Sequence, residues 1–281
     1  MLGYELSSVK ERLLLAGLEN SSLDAELIFS FVLGMRRSDI YAFPEREMTS
    51  NEIACVKDLV KRRVEHEPIA YILGKKEFWS TTFKVDKNVF IPRPETELLV
   101  ELSIKNLEEI KFPTILDICC GSGAIGFSIA KELKNSRVFG SDLSREAVVC
   151  SIKNAASILL ENYSVVQTFL MNGLLKENIF NLIVSNPPYI PTSKIADLDS
   201  EVANYGPRMA LDGGENGMSY LSKIIKETPF YLISKGILLL EIDHEQAESC
   251  IKEINHSDKY GIPVIHKDLA GLNRVVEVEK K

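Results

Sequence analysis

Asn186-Pro187-Pro188-Tyr189 follows directly on the apolar run Phe180-Asn181-Leu182-Ile183-Val184-Ser185. These residue types suit an uncommon piece of chemistry, in which a planar NH2 group is held so that its nitrogen attacks an electrophilic carbon. The Asn186 side-chain oxygen accepts one N–H and the Pro187 carbonyl the other, on a chain that proline stiffens and relieves of a competing donor. Tyr189 offers a flat face to a planar group. The same four residues also read as a rigid turn after a strand, because Asn-Pro and Pro-Pro are turn signals.

A second group of residues points to a cofactor. Asp117-Ile118-Cys119-Cys120-Gly121-Ser122-Gly123-Ala124 leaves an apolar strand and opens a helix. Glycines there let backbone approach a ligand, and free N–H groups can bind a carboxylate. Asp142 ends the next strand, about 20 residues beyond Gly123, where an acid accepts from ribose hydroxyls. The loop is not the Gly-x-Gly-x-x-Gly of dinucleotide sites, and Asp117 at the strand end can meet an amino group. With the NH2-holding tetrapeptide, these features favour S-adenosylmethionine over NAD.

Elements must bring the two groups together. From Phe112 onward apolar strands alternate with helices: strands over 114–118, 137–142, 165–170, 182–184, 236–242, 263–266 and 274–278, and helices over 124–133, 147–160 and 218–233. That order predicts an α/β fold with a doubly wound, mostly parallel sheet, in which ligand loops gather at one crevice. Residues 1–75 read as a helical domain. Ser21-Ser22 offer caps to a helix with Leu23, Leu27, Ile28 and Phe31 on one face, and Thr49-Ser50 to one with Ile53, Val56, Leu59, Val60 and Val64. Lys57, Lys61, Arg62 and Arg63 are expected to be exposed, as a solvated face or a docking surface. Residues 76–92 read as a hairpin or extended connector with a turn at Asp86-Lys87-Asn88, and 93–281 as the catalytic domain. Arg93 and Glu95 form either a local ion pair at the start of a helix or part of a lid over the cofactor. Glu241, Asp212 and Gly213-Gly214 read as structural.

Composition narrows the class. The 281 residues carry a net charge of −7, so no broad footprint for nucleic acid is evident. No run approaches the roughly 20 apolar residues that span a bilayer. The first residues lack a signal-peptide pattern, and a cytoplasmic location is expected. Five cysteines without paired spacing argue against a disulfide framework, and four scattered histidines offer no metal site. No oligomer signal is evident, and a monomer is expected.

Loop, Asp142 and tetrapeptide together resemble class I S-adenosylmethionine-dependent methyltransferases acting on planar NH2 groups. Over nearly the whole length the sequence resembles the peptide chain release factor N5-glutamine methyltransferases, the HemK/PrmC family. The matching stretches are Glu67–Gly74 with Glu77-Phe78, Ile91–Glu97, Ile183–Ile190, Ala210–Gly217 and Leu238–Glu241. The resemblance implies a Rossmann-like seven-stranded sheet behind an N-terminal helical substrate-recognition domain. It implies S-adenosylmethionine as cofactor and, as substrate, the glutamine of Gly-Gly-Gln in release factors. It assigns Cys119, Cys120, Gly121, Ser122 and Gly123 to the methionine and ribose, Asp142 to the ribose, and Asn186 to cofactor and amide. It assigns Pro187, Pro188 and Tyr189 to the substrate, with Asn186, Pro187 and Tyr189 catalytic. Asn172 and Gly173 would lie near the adenine.

The sequence also departs from that family. Cys119 and Cys120 stand where the family has Gly and Thr, so a positive φ would strain Cys119. Asn172-Gly173 replaces an acidic and a bulky residue, which predicts weaker cofactor affinity. Gly206 stands where Glu precedes a proline. Three other readings use the same residues: a glutamine methyltransferase acting on a large-subunit ribosomal protein, a DNA adenine N6-methyltransferase that flips a base against Tyr189, and a non-catalytic cofactor-binding module.

Overall fold

The computed structural model describes residues 1–158 and 160–281. The chain forms two compact units, Met1–Lys75 with Asp199–Tyr205, and Lys76–Leu198 with Gly206–Lys281. The first contains α1 (Leu2–Leu15), α2 (Ser21–Leu33), α3 (Arg37–Ala42), α4 (Ser50–Val64) and α5 (Ile69–Leu73). Its core gathers Leu2, Leu6, Leu13, Ile28, Phe29, Val56 and Val60. At the start of α4 the Thr49 hydroxyl accepts from the Glu52 N–H, and the Glu52 carboxylate accepts from the Thr49 N–H.

The buried face of α2 differs from expectation. Asn20, not Ser21 or Ser22, holds the cap position, and Leu23 and Phe31 are exposed. The buried residues are Ser21, Asp24, Ala25, Ile28 and Phe29, an i, i+3, i+4, i+7, i+8 stripe, with Glu26 also buried. Two acids can turn inward because cations meet them. Asp24 accepts from Arg63 at 2.7 Å, and Glu26 pairs with Lys10 at 3.0 Å and Arg37 at 2.5 Å. Arg63, expected on an exposed face, is therefore buried, and it also pairs with Glu201 at 2.5 Å. Arg62 is half-buried against Glu67, which leaves Lys57 and Lys61 as the exposed cations of that set. The Glu201 pair and a Tyr205 hydroxyl donating to the Glu65 carbonyl place Asp199–Tyr205 in the helical unit, although the sequence puts it within 93–281.

The second unit begins with a hairpin of β1 (Lys75–Phe78) and β2 (Thr81–Lys84). Its turn is Trp79-Ser80, both at positive φ, while Asp86-Lys87-Asn88 makes a separate turn closed by Val89 N–H to the Asp86 carbonyl. There follow α6 (Glu97–Leu107), β3 (Thr114–Ile118), α7 (Ala124–Glu132), β4 (Arg137–Asp142), α8 (Arg145–Ser157), β5 (Tyr163–Gln167) and β6 (Phe180–Ser185). After α9 (Ser200–Tyr205, of the first unit) come α10 (Arg208–Leu211), α11 (Ser219–Glu227), β7 (Leu232–Glu241), α12 (Ala247–Asn255), β8 (Val264–Lys267) and β9 (Asn273–Glu279). The helix expected over 218–233 stops at Glu227 because Pro229 falls in a following 3-10 turn, and β7 then starts four residues before the expected Gly236. The helix expected to reach Leu160 ends at Ser157, and Leu159 lies outside the described residues.

Among the described residues one sheet has the order β5-β4-β3-β6-β7-β9-β8, with β9 antiparallel to both neighbours and the other pairs parallel. Successive side chains alternate between two cores. Leu116, Ile118, Ile183, Leu238 and Leu240 pack with Leu221 and Ile254, while Ile115, Leu182, Val184 and Leu239 pack with Leu99 and Phe127. The chain runs outward from β3 in both directions, and Ile118 lies in register with Ser185. The loops after β3 and β6 thus leave the sheet side by side at its switch point.

Candidate active site

Those two loops and the segment before α6 line a single pocket. Its walls include Phe90, Pro92 and Thr96, then Cys119, Cys120, Gly121 and Ser122, then Asp142, Asn186–Tyr189, and Phe169, Met209 and Tyr220. The loop after β3 makes its turn with Cys119 at φ 59, Gly121 at φ 55 and Gly123 at φ 82. Cys119 therefore occupies the left-handed region anticipated from its place in the loop, at a steric cost of roughly 1–2 kcal/mol relative to a right-handed residue. Burial, with the charges of Asp142 and Asp117, pushes its thiol well above the ordinary range. It is a neutral lining group.

Asp142 lines the pocket beside this turn. Its Oδ2 accepts the Gly121 N–H at 2.9 Å and its Oδ1 the Ser144 N–H at 2.9 Å. Each oxygen keeps a lone pair for a ligand hydroxyl. Space at Gly121 is open, since a Cβ there would meet nothing within 4 Å. A carboxylate anchored by backbone beside an open turn, facing aromatic and aliphatic walls, fits a nucleoside with a methionine tail. Gly123, although part of the turn, is not on the lining, and a Cβ there would lie 2.5 Å from Ser151 Oγ.

Asp117 is elsewhere. It is fully buried and absent from the pocket wall; its Oδ2 accepts the Gly126 N–H at 2.9 Å, while Oδ1 has no partner among the described residues. Burial pushes its carboxyl up to about 7, helped by the charge of Asp142 and opposed by the Gly126 bond. It ties the end of β3 to the first turn of α7. Asn172 and Gly173 are also off the wall and exposed. The chain leaves the sheet at Thr168 and turns back, with Asn172 N–H bonded to the Phe169 carbonyl and the Thr168 hydroxyl to the Asn172 carbonyl. That turn gives the wall to Phe169 and Leu170, and Tyr220 packs on Phe169 with centroids 6.0 Å apart.

Asn186 is half-buried, and its Nδ2 donates to Thr96 Oγ1 at 3.2 Å. This fixes the side-chain amide with its nitrogen engaged, while no described residue donates to its oxygen. Tyr189 donates its hydroxyl to Glu241 Oε1 at 3.1 Å, and its carbonyl accepts from Gln246 Nε2 at 2.8 Å. Burial and the Glu241 charge push the Tyr189 phenol well up, so it is neutral. Asp212 closes the backing turn by accepting from the Thr192 hydroxyl at 2.6 Å and the Gly214 N–H at 3.0 Å. Gly217 is needed for space as well as backbone, since a Cβ there would overlap the Tyr189 carbonyl oxygen. Arg93 lies over the Phe90 ring at 5.5 Å, and among the described residues it makes no ion pair with Glu95.

Thr96, Phe169, Tyr220 and Gln246 join the site without having been expected from the sequence, and Glu241, expected to be structural, accepts the Tyr189 hydroxyl. Glu241 carried a signal: it is a charge closing the apolar run Ile237-Leu238-Leu239-Leu240, where solvent is excluded.

The mostly parallel seven-stranded sheet, with its open turn after β3 and an acid at the end of β4, is the fold of a class I S-adenosylmethionine-dependent methyltransferase. The PrmC N-terminal domain family matches residues 6–74, and the Methyltransferase small domain family matches residues 81–215. The release factor glutamine methyltransferase of Thermodesulfovibrio yellowstonii is 36% identical over 259 residues, 92% of each chain. That of Coxiella burnetii is 39% identical over 254 residues, 90% of each chain. The hMettl16 catalytic domain in complex with MAT2A 3'UTR hairpin 6 shares the fold at 13% identity and a TM-score of 0.60, over 80% of this chain and 82% of that one. The chain belongs to the release factor glutamine methyltransferase family.

Proposed function

We propose that this enzyme transfers a methyl group from S-adenosylmethionine to the side-chain amide nitrogen, N5, of the glutamine in the Gly-Gly-Gln segment of peptide chain release factors. One observation supports the reading of the site: Asn186 lines the pocket and donates through its nitrogen to Thr96, while no described residue donates to its oxygen. When bound, S-adenosylmethionine supplies a methyl carbon on a sulfonium, an electrophile strong enough for a weakly nucleophilic amide. Asp142 and the Cys119–Gly123 turn hold that cofactor.

Asn186 Oδ1 and the Pro187 carbonyl accept the two N–H bonds of the glutamine amide. They fix its plane and stabilise the positive charge that grows on nitrogen. Pro188 and the Tyr189 ring pack against the amide and its methylenes. No side chain is needed as a strong base, because the alkylated amide cation releases its proton to water. Products are N5-methylglutamine and S-adenosylhomocysteine. The helical unit supplies the docking surface for the release factor, and the enzyme works as a cytoplasmic monomer without a nucleic-acid substrate. Among the described residues no helix is long and apolar enough to cross a membrane.

Asn186→Ala is the test. Turnover with a Gly-Gly-Gln protein is expected to vanish while the S-adenosylmethionine dissociation constant stays nearly constant. Full activity in that variant, or label transferred to duplex DNA or a ribosomal protein but not to a release factor, overturns the proposal.

A further inference from the structure

Gln246 ends the 3-10 turn His244–Gln246 that follows β7, and its polar side chain is buried. Both ends of its amide are used. Oε1 accepts the Asp243 N–H at 3.0 Å, and Nε2 donates to the Tyr189 carbonyl at 2.8 Å. The two partners are main-chain groups of fixed polarity, since an N–H only donates and a carbonyl only accepts. The orientation of the Gln246 amide is therefore determined. Room for it comes from Gly217, at φ 74, where a Cβ would overlap both Gln246 Nε2 and the Tyr189 carbonyl oxygen.

The bonded carbonyl stands at the exit of the Asn186–Tyr189 segment. On the next residue the Ile190 N–H donates to the Leu211 carbonyl at 3.1 Å, and the Ile190 carbonyl accepts the Gly213 N–H at 2.8 Å. At the entrance, Ser185 is the last residue of β6 and lies in register with Ile118. Between them lie Pro187 and Pro188, whose φ angles are fixed. With so few soft torsions, a rotation of the Tyr189–Ile190 peptide carries back to the Pro187 carbonyl and the Asn186 side chain. Gln246 is off the pocket wall, so it acts on a bound substrate only through Tyr189.

We propose that Gln246 is a positioning residue for methyl transfer: by donating to the Tyr189 carbonyl it fixes the exit of the Asn186–Tyr189 segment and, through it, the two acceptors that hold the substrate amide. The identity of that amide as glutamine rests on the proposed function; the anchoring of Tyr189 does not. Positioning and simple capping of the turn call for different atoms. Capping needs only the Oε1 acceptor for the Asp243 N–H, whereas anchoring needs the Nε2 donor. Gln246→Glu keeps an oxygen for Asp243 and sets a second oxygen against the Tyr189 carbonyl, so it preserves the cap and destroys the anchor. Gln246→Met is close in length and gives up both bonds without adding a repulsion.

The two variants are compared in the full-length enzyme at about pH 8, where an introduced carboxyl is ionised. Turnover is measured at saturating S-adenosylmethionine and release factor, per cofactor-binding molecule, so that an unfolded fraction does not count. Gln246→Glu is expected to lose about 100-fold and Gln246→Met about 10-fold, the scale of a misplaced reacting group. The S-adenosylmethionine dissociation constant should stay within about 3-fold in both, because the two bonds of Gln246 go to Asp243 and Tyr189 and not to the Asp142 side. A capping role gives the reverse order, with Gln246→Glu close to the wild type and Gln246→Met impaired. That reverse order, unchanged turnover in Gln246→Glu, or a loss of cofactor affinity as large as the loss of turnover overturns the proposal. A second readout needs no substrate. The Tyr189 carbonyl-carbon resonance should shift in both variants, since each removes its donor; a resonance that stays in place overturns the anchor. If the wild type labels a ribosomal protein or duplex DNA instead of a release factor, the glutamine reading fails, and the order of the two variants on that substrate still decides the role of Gln246.

Discussion

Replacing Glu241 by Gln should make the protein more stable at alkaline pH. In the folded chain burial raises the Glu241 carboxyl from the ordinary 4.5 to about 7. Below pH 4.5 the group is protonated in folded and unfolded chains alike and costs nothing. As pH rises from 4.5 to 7 the unfolded chain loses the proton while the folded chain keeps it, and stability falls. Above 7 both are ionised and the loss is constant. The interval corresponds to about 3 kcal/mol at pH 8 and about 1 kcal/mol at pH 5. Gln removes this penalty but weakens the hydrogen bond that Glu241 accepts from the Tyr189 hydroxyl, which costs about 1 kcal/mol. A net gain of about 2 kcal/mol at pH 8 is expected, with a Tm rise of roughly 4–8 °C, and little gain at pH 5. Urea unfolding of both proteins at the two pH values measures it. A variant less stable than the wild type at pH 8, or a gain no smaller at pH 5, refutes the account of Glu241 as a buried charge that costs stability.

Gly217→Ala would drive a Cβ into the Tyr189 carbonyl oxygen; about a 10²-fold loss of turnover is expected, with cofactor affinity retained, in paired kinetic and binding assays. Arg63→Met leaves Asp24 buried without its partner, and the helical unit should lose about 3–5 kcal/mol, read as faster amide exchange in α2 and α4. Asn172→Asp with Gly173→Trp, expected from sequence to tighten cofactor binding, should leave the S-adenosylmethionine dissociation constant within about 2-fold, because both positions are exposed and off the pocket wall. A clear gain in affinity by calorimetry would return these residues to the site.

The strands of the sheet are legible in the sequence because apolar runs bounded by Gly, Pro and Asp leave little else for a chain to do, and β3 and β4 fall on the predicted residues. Boundaries shift where a local breaker acts, as Pro229 does in ending α11 early. The inner face of α2 is not legible in this way, because periodicity counts apolar residues. It cannot know that Arg63, 39 positions away from Asp24, will neutralise an acid on the core side. Asn172 and Gly173 fall outside the pocket for a related reason. A count along the chain does not show where a short turn reverses.

By itself the sequence determined the fold class and singled out the turn after β3, Asp142 and Asn186–Tyr189 as the residues of the proposed site, since each is a local run whose backbone demands and donor types are written in consecutive residues. Only the tertiary structure decided what these residues meet: Asn186 donates to Thr96, before α6, and Tyr189 donates to Glu241, at the end of β7. These pairings arise from proximity across the sheet, which has no signature at any fixed spacing along the chain.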